Sequence, residues 1–548
     1  MNLNNESGSS KEFSLEELVK MNGDAMAVMD EVPYQPIVYA VPREWLESWR
    51  ILLEQAVQFQ PTLYGMLTPL ATQERLQKQE MQLKAELGIT KRELLKRLAE
   101  LERQDGNSRE RFFSELSRLH SDTLREMREE SAKQGRKQTR YVIFISPHFP
   151  LHFYQFCDRL KNLGVNVLGI GDTPYDAISQ NCRDSLTEYY RVDSLEDYEQ
   201  VYRAAAFYIS RYGRIDFVDS QNEYWLELEA QLRTDFNIPT GFHTSDLAGV
   251  KRKSEMKRGY RQAGVKTARF HLVDDWDGCK AFIQEVGYPV IVKPDTGVGA
   301  SNTEKLTCDE DLGAFLTSKP DVPFIMEEFV PGHIETFDGI TDRDGNILFC
   351  AGQVMVKTPM DMLRGSGENV SFSQNVQQRD LYDIGSRVVQ AFCPRNRFFH
   401  FEFFRLDEDK PGLGQKGEIL GLEVNMRAPG GYIPDKMNYT YDVDVCQIWA
   451  ESLIFNENRS FPHYTFRRYV THVGRGGRVA YLHAPEEIRS RYGDRILMEN
   501  RPPEAISGGM GSFIYLLWAD SVEELEQQAD FILRHADGSG WLSTKGRD

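Results

Sequence analysis

The chain has 548 residues, too many for one hydrophobic core, and its 41% hydrophobic and 11% aromatic residues are those of a globular protein, so two to four domains of roughly 100–200 residues are expected. A formal charge of -18 excludes a chain whose main task is to coat nucleic acid or an anionic membrane, because the field of the whole molecule would repel both. The seven cysteines are scattered and never form a Cys-x-x-Cys pair, which is reducing-compartment usage. The first residues have no basic head before an apolar core, and no apolar run approaches the ~18 residues of a membrane span, so a cytoplasmic protein is expected.

Residues 14–138 follow a helical pattern. Leu94, Leu98 and Leu101 recur at helical spacing, and Thr90-Lys91-Arg92-Glu93 forms a capping box. A second helix starting near Asn107 or Ser108 presents Phe112, Leu116 and Leu119 on one face. This helical N-terminal region, 1–139, reads as an appendage or oligomerisation element, compatible with a homodimer.

At Arg140 the grammar changes. Strands at 141–146, 165–170 and 215–219 alternate with helices at 151–163 and 196–212, a βαβαβ order that implies a parallel, Rossmann-like α/β domain over 140–250. Such a domain can bind substrate at its strand ends. Gly169-Ile170-Gly171 is a weak nucleotide signal, since a lone Gly-x-Gly is more often a tight turn. From 251 to 460 the order is α+β. The spacing predicts strands at 288–293, 324–328, 335–341, 347–356, 398–406 and 418–424, a helix at 376–392, and a polar hairpin insertion at 407–416. The remainder, 461–548, reads as a small α+β subdomain with strands at 478–482, 496–499 and 513–518 and a helix at 522–534.

Three segments carry chemistry. Glu402 and Glu423-Val424-Asn425-Met426-Arg427 put three oxygen ligands on two strands, and alternation points Glu423 and Asn425 to one face. Hard Mg²⁺ prefers one or two carboxylates plus nucleotide phosphates, and Arg427 can fork onto a carboxylate or phosphate. Val290-Ile291-Val292-Lys293 delivers a lysine to the loop Pro294-Asp295-Thr296-Gly297-Val298-Gly299-Ala300-Ser301, where glycines let backbone N–H groups approach phosphate. The lysine precedes the glycines, so this is no Walker motif. Ile325-Met326-Glu327-Glu328-Phe329-Val330-Pro331-Gly332 is a strand edge that can offer backbone groups to a purine.

In this order, with the basic helix start Lys251-Arg252-Lys253 ahead of them, these segments resemble the ATP-grasp superfamily. Within it the likeness is to the carboxylate-amine ligases and biotin-carboxylase-like members that share a Glu-x-Asn-x-Arg signature, over roughly residues 140–535. The resemblance implies an ATP-grasp domain with a Rossmann-like pre-grasp domain and a C-terminal subdomain. It further implies that Lys253 and Lys293 hold ATP phosphates and that Gly297, Gly299 and Ser301 form the phosphate-covering loop. Glu327, Glu328, Phe329 and Val330 would make the adenine hinge, with Glu335 as the ribose acid. Glu402, Glu423 and Asn425 would bind Mg²⁺, with Mn²⁺ as an alternative, and Arg427 would hold the reacting carboxylate or acyl-phosphate beside Lys293. The activity so implied is ATP-dependent ligation of a small carboxylate to an amine, such as an amino acid or peptide, releasing ADP and phosphate. A carboxylase or kinase-like enzyme and a nucleotide-binding regulatory module are the alternatives. Two features depart from the pattern: the insertion between Glu402 and Glu423, and the spacing from the hinge to Glu335.

Overall fold

The computed structural model describes residues 140–297, 302–356, 367–502 and 510–539. The helices expected before residue 140 lie outside them, as do Gly299, Ser301 and residues 357–366. Among the described residues no helix is long and apolar enough to cross a membrane.

The first sheet contains β1 (Tyr141–Ile145), β2 (Asn166–Gly171), β3 (Glu188–Arg191) and β4 (Phe217–Asp219), all parallel in the order β3-β2-β1-β4. Val142, Ile143, Phe144 and Ile145 are all fully buried, as expected of a parallel strand covered on both faces. The helix Tyr198–Tyr212 begins where Asp197 accepts from the backbone N–H groups of Glu199 and Gln200, and it stops at Gly213 with φ 83. Sequence reading missed β3, because Glu188-Tyr189-Tyr190-Arg191 is a half-exposed edge strand with no apolar run to mark it.

The second sheet is antiparallel, with β5 (Phe270–Leu272), β6 (Val290–Pro294), β7 (Glu304–Leu306) and β8 (Phe324–Glu328) in the order β5-β8-β6-β7. The largest sheet holds β9 (Gly332–Thr341), β10 (Ile347–Met355), β11 (Asn369–Gln374), β12 (Phe398–Leu406), β13 (Ile419–Asn425), β14 (Tyr469–Arg475), β15 (Ile496–Asn500) and β16 (Phe513–Ala519). It is antiparallel throughout, in the order β13-β12-β9-β10-β11-β14-β16-β15. One apolar cluster binds the first sheet to this one: Phe144 meets Trp449 edge-on at 6.3 Å, and Phe156 meets Phe398 at 5.9 Å. Edge-on aromatic pairs of this kind add about 0.5–1.5 kcal/mol each to the area they bury.

The strand expected at 478–482 is not formed. Tyr481 makes only an isolated bridge to His535, and the strand is Tyr469–Arg475 instead. The reason is pairing. β14 covers the free edge of β11 and carries β16 on its other side, so its backbone is satisfied twice although Thr471, His472 and Arg475 hide any apolar pattern. The C-terminal strands therefore extend the large sheet rather than forming one of their own. The expected helix at 376–392 is also divided, with a 3₁₀ turn at Val376–Gln378 preceding the α-helix Asp380–Phe392.

Lys436, on the helix Ile433–Tyr441, is fully buried and donates to Ser371 Oγ at 2.8 Å. Burial pulls its pKa down to about 7, with Asp338 opposing. Between that value and the ~10.5 of an unfolded lysine, the unfolded chain binds more protons, so this residue makes stability rise with pH over that window. Urea unfolding of Lys436→Met beside the native chain should show it, as an advantage for the variant at pH 7 that shrinks by on the order of 3 kcal/mol by pH 10. A difference independent of pH would refute the assignment.

Candidate functional site

β12 and β13 pair so that Glu402 stands opposite Glu423 and His400 opposite Asn425, with a register irregularity directly after Glu402. Like charges opposite one another on a sheet repel, and here cations gather around them. Lys253 Nζ lies 3.4 Å from Glu423 Oε1, and His400 Nε2 lies 3.2 Å from Glu402 Oε1. His400 also reaches Asp338 Oδ1 through Nδ1 at 2.5 Å. Burial works against the His400 imidazolium, but Asp338 and Glu402 outweigh it and raise the pKa to about 9. Burial would likewise raise the Glu402 carboxyl, whereas His400, Arg427 and Lys293 hold it below its usual range. Tyr260 OH braces both strands from behind, donating to the carbonyls of Glu423 at 2.9 Å and Glu402 at 3.2 Å. Any Cβ at Gly421 would stand 2.3 Å from that ring.

Asn425 is buried beside the pair, with its amide nitrogen 3.5 Å from the His400 carbonyl. Two carboxylates and an amide oxygen are the hard donor set that suits Mg²⁺. The residues fit the metal.

A second group stands beside these carboxylates. Lys253 opens the helix Lys253–Gln262, and its backbone N–H donates to the Asp295 carbonyl at 2.8 Å. The Asp295 carboxylate in turn accepts from Ser254 N at 2.8 Å and Ser254 Oγ at 2.9 Å. These bonds tie the helix start to the loop after β6, and Lys253 Nζ donates to the Gly297 carbonyl at 3.1 Å. Gly297 has φ 132 and nothing within 4 Å of where a Cβ would stand, so the backbone there is open to a ligand. Lys293 Nζ lies 2.9 Å from Glu327 Oε2, while Lys257 Nζ lies 2.5 Å from Oε1 of the same carboxylate. Burial would raise the Glu327 pKa, but the two lysines bring it down to about 2. Burial disfavours the Lys293 ammonium, yet Glu327 and Glu423 raise its pKa overall. Sequence reading missed Lys257. The signal was its spacing of four from Lys253, which sets both lysines on one helix face.

In the hinge segment both acidic side chains are already engaged. Glu327 spends its carboxylate on the two lysines, and Glu328 spends its own on Arg269, which donates through Nη2 at 2.7 Å. β8 ends at Glu328, leaving Phe329 and Val330 beyond the ladder. The 407–416 insertion docks here: Lys410 Nζ donates to the Phe329 carbonyl, and Asp407 N donates to the Pro331 carbonyl at 3.0 Å. Both oxygens of Glu335 accept from Arg405 at 2.9 Å, so a ribose hydroxyl would have to use their remaining lone pairs.

Arg427 stands just past β13, and its Nη1 donates to the Ala428 carbonyl at 2.8 Å. The backbone on either side of it is clamped by residues from the end of β4. Gln221 Oε1 accepts from Ala428 N at 3.2 Å, and Glu223 Oε2 accepts from Met426 N at 3.2 Å. Arg397 donates to the Met426 carbonyl and pairs with Glu229 at 2.8 Å and Asp219 at 3.4 Å. Arg233 closes the cluster, 2.7 Å from Glu229. Sequence reading missed Gln221 and Glu223 because their partner is a backbone some 200 residues away, and Arg397 because the carboxylates that pair with it, Asp219 and Glu229, lie 178 and 168 residues before it. The available signal was a polar run, Ser220-Gln221-Asn222-Glu223, at the carboxyl end of a parallel strand.

No family model matches the chain. The L-arginine-specific L-amino acid ligase of Bacillus subtilis is 26% identical over 318 residues, which are 56% of this chain and 71% of that enzyme. Among solved structures, the L-amino acid ligase from Bacillus licheniformis superposes with a TM-score of 0.52 at 16% identity, covering 72% of this chain and 96% of the other. The biotin carboxylase domain of the Hydrogenobacter thermophilus 2-oxoglutarate carboxylase, solved with MgADP, ADP and bicarbonate, superposes with a TM-score of 0.52 at 14% identity, covering 74% and 91%. At such identities the two structures speak for the fold.

Proposed function

We propose that this chain, an ATP-grasp ligase forming carbon–nitrogen bonds, joins a small carboxylate to an amine as an amide or peptide through an acyl-phosphate. The observation that carries the reading is the facing pair Glu402 and Glu423, with Lys253 at Glu423 and the Lys293 charge felt by both. An arginine on the same strand end completes the group.

Each residue has a task in such a reaction. A carboxylate is a poor electrophile until one of its oxygens becomes part of a leaving group, and phosphoryl transfer is catalysed chiefly by positioning and charge neutralisation. A substrate carboxylate oxygen attacks the γ-phosphorus as the bond to the ADP oxygen breaks. The amine nitrogen then attacks the acyl carbon, phosphate departs, and the nitrogen gives up a proton to solvent. Lys253 and Lys293 oppose charge on the phosphates, and Glu327 holds Lys293 and Lys257 in place until the nucleotide arrives. Arg427 offers a two-pronged donor to the reacting carboxylate or the acyl-phosphate. Glu402, Glu423 and Asn425 would hold Mg²⁺ or Mn²⁺, which when bound supplies positive charge among the phosphate oxygens. The relative from Bacillus subtilis is described as acting on an amino acid, which supports amino acids as the substrates to try first.

The test is phosphate release from ATP and Mg²⁺ with pooled amino acids, coupled to mass detection of products. Amine-dependent phosphate release with an amide product of matching mass is the expected result. No amine dependence across a broad panel overturns the reading.

A further inference from the structure

A cavity of about 480 Å³ opens at the carboxyl ends of the first sheet's strands, and none of the lysines and carboxylates described above lines it. It lies where the strand order reverses, β1 leading to β2 and β3 on one side and to β4 on the other, which is where open α/β sheets hold ligands. His148 and Phe149 enter it from the end of β1, Asp172 from the end of β2, and Asn222, Tyr224 and Trp225 from the end of β4. Asn222 sits between Gln221 and Glu223, whose side chains hold the amides flanking Arg427. The cavity thus abuts the arginine loop.

The chemistry of the walls is selective. Phe149 and Tyr224 are 46% and 54% exposed, a large apolar display for rings beside a cavity mouth. The Trp225 ring meets Tyr224 edge-on at 4.7 Å. Among the described residues Asp172 is the one carboxylate in the lining, and no lysine or arginine lines the cavity. Its nearest cationic candidate is His148, with Nε2 3.4 Å from Asp172 Oδ1. Burial lowers the His148 pKa, with Asp172 opposing, which favours the neutral ring. At the rim a second carboxylate, Glu196, accepts from Tyr224 OH at 2.6 Å. Aromatic faces beside carboxylates with no lysine or arginine among them attract cations and turn away phosphates. Next to Asp172, Gly171 leaves room for the His148 ring, since a Cβ there would stand 2.5 Å from Tyr189 OH and 3.0 Å from that ring. At Gly169 too a Cβ would stand 2.9 Å from the Leu186 side chain, so both glycines of this segment have a packing role.

We propose that this cavity receives the cationic end, ammonium or guanidinium, of the amine substrate, so that the enzyme selects amino acids or short peptides with basic side chains. This rests on the ligase reading for its place in a reaction, but binding can be measured without it. Titration calorimetry of the full chain, with no nucleotide present, would compare L-arginine with its neutral isostere L-citrulline, and L-lysine with L-norleucine. The cationic member of each pair is expected to bind at least tenfold more tightly, and Asp172→Asn should abolish the preference while leaving thermal unfolding unchanged. Equal affinities, no binding of either cation, or a preference that survives Asp172→Asn overturns the proposal. A chain that binds the cations yet shows no amine-dependent phosphate release overturns the ligase reading alone. Turnover on neutral amines, unaffected by Asp172→Asn, overturns the cavity assignment alone.

Discussion

Glu423→Gln is expected to lower ATP turnover by about 10²–10³-fold, the range for removing one preorganised electrostatic group from a reacting centre, while thermal unfolding stays within a few degrees of the native chain. The substitution keeps volume and strand pairing and removes only charge. Glu423 faces Glu402 across the ladder, so losing its charge relieves a repulsion even as it costs the ion pair with Lys253 at 3.4 Å, and the two effects on stability oppose each other. Lost activity with retained stability is the mark of a residue kept for its charge. Phosphate release and a melting curve on one preparation decide it, and activity within tenfold of the native chain would sink the metal assignment. Lys293→Ala should lose turnover similarly.

The second large effect concerns stability. Arg397→Met should destabilise the fold by about 3–5 kcal/mol, the usual cost of removing one partner from a buried charge network. Arg397, Arg233, Glu229 and Asp219 are all buried, and the four charges balance; removing one arginine leaves an uncompensated carboxylate in the interior. Adding Glu229→Gln to Arg397→Met restores neutrality and should recover part of the loss. Urea unfolding of the two variants is the measurement. A single variant as stable as the native chain, or a double variant worse than the single, would refute the account. Because Arg397 also donates to the Met426 carbonyl, any folded Arg397→Lys protein should show reduced turnover with an unchanged KM for ATP.

Most strands could be read along the chain because burial leaves a local trace. The runs at 142–145 and 324–326 are apolar because both faces of those strands are covered, and the helix of 198–212 carries its own cap. Where burial is polar the trace vanishes. β14 places Thr471, His472 and Arg475 inside the sheet, and only its pairing with β11 and β16 makes that segment a strand.

The sequence by itself determined which chemical groups were available: carboxylates at 402 and 423, an amide at 425, lysines at 253 and 293, an arginine at 427, and their order along the chain. These are local facts, set by residue type and by the two-residue period of a strand. The tertiary structure decided what each group is bonded to. Glu327 became a holder of lysines because Lys257 and Lys293 arrive from a different helix and strand, and Arg427 acquired its support from Gln221 and Glu223 across some 200 residues. Partnerships of this kind depend on where chain closure brings distant charges and backbone amides into the same low-dielectric space. There each must be satisfied, and no spacing in the sequence records which partner will satisfy it.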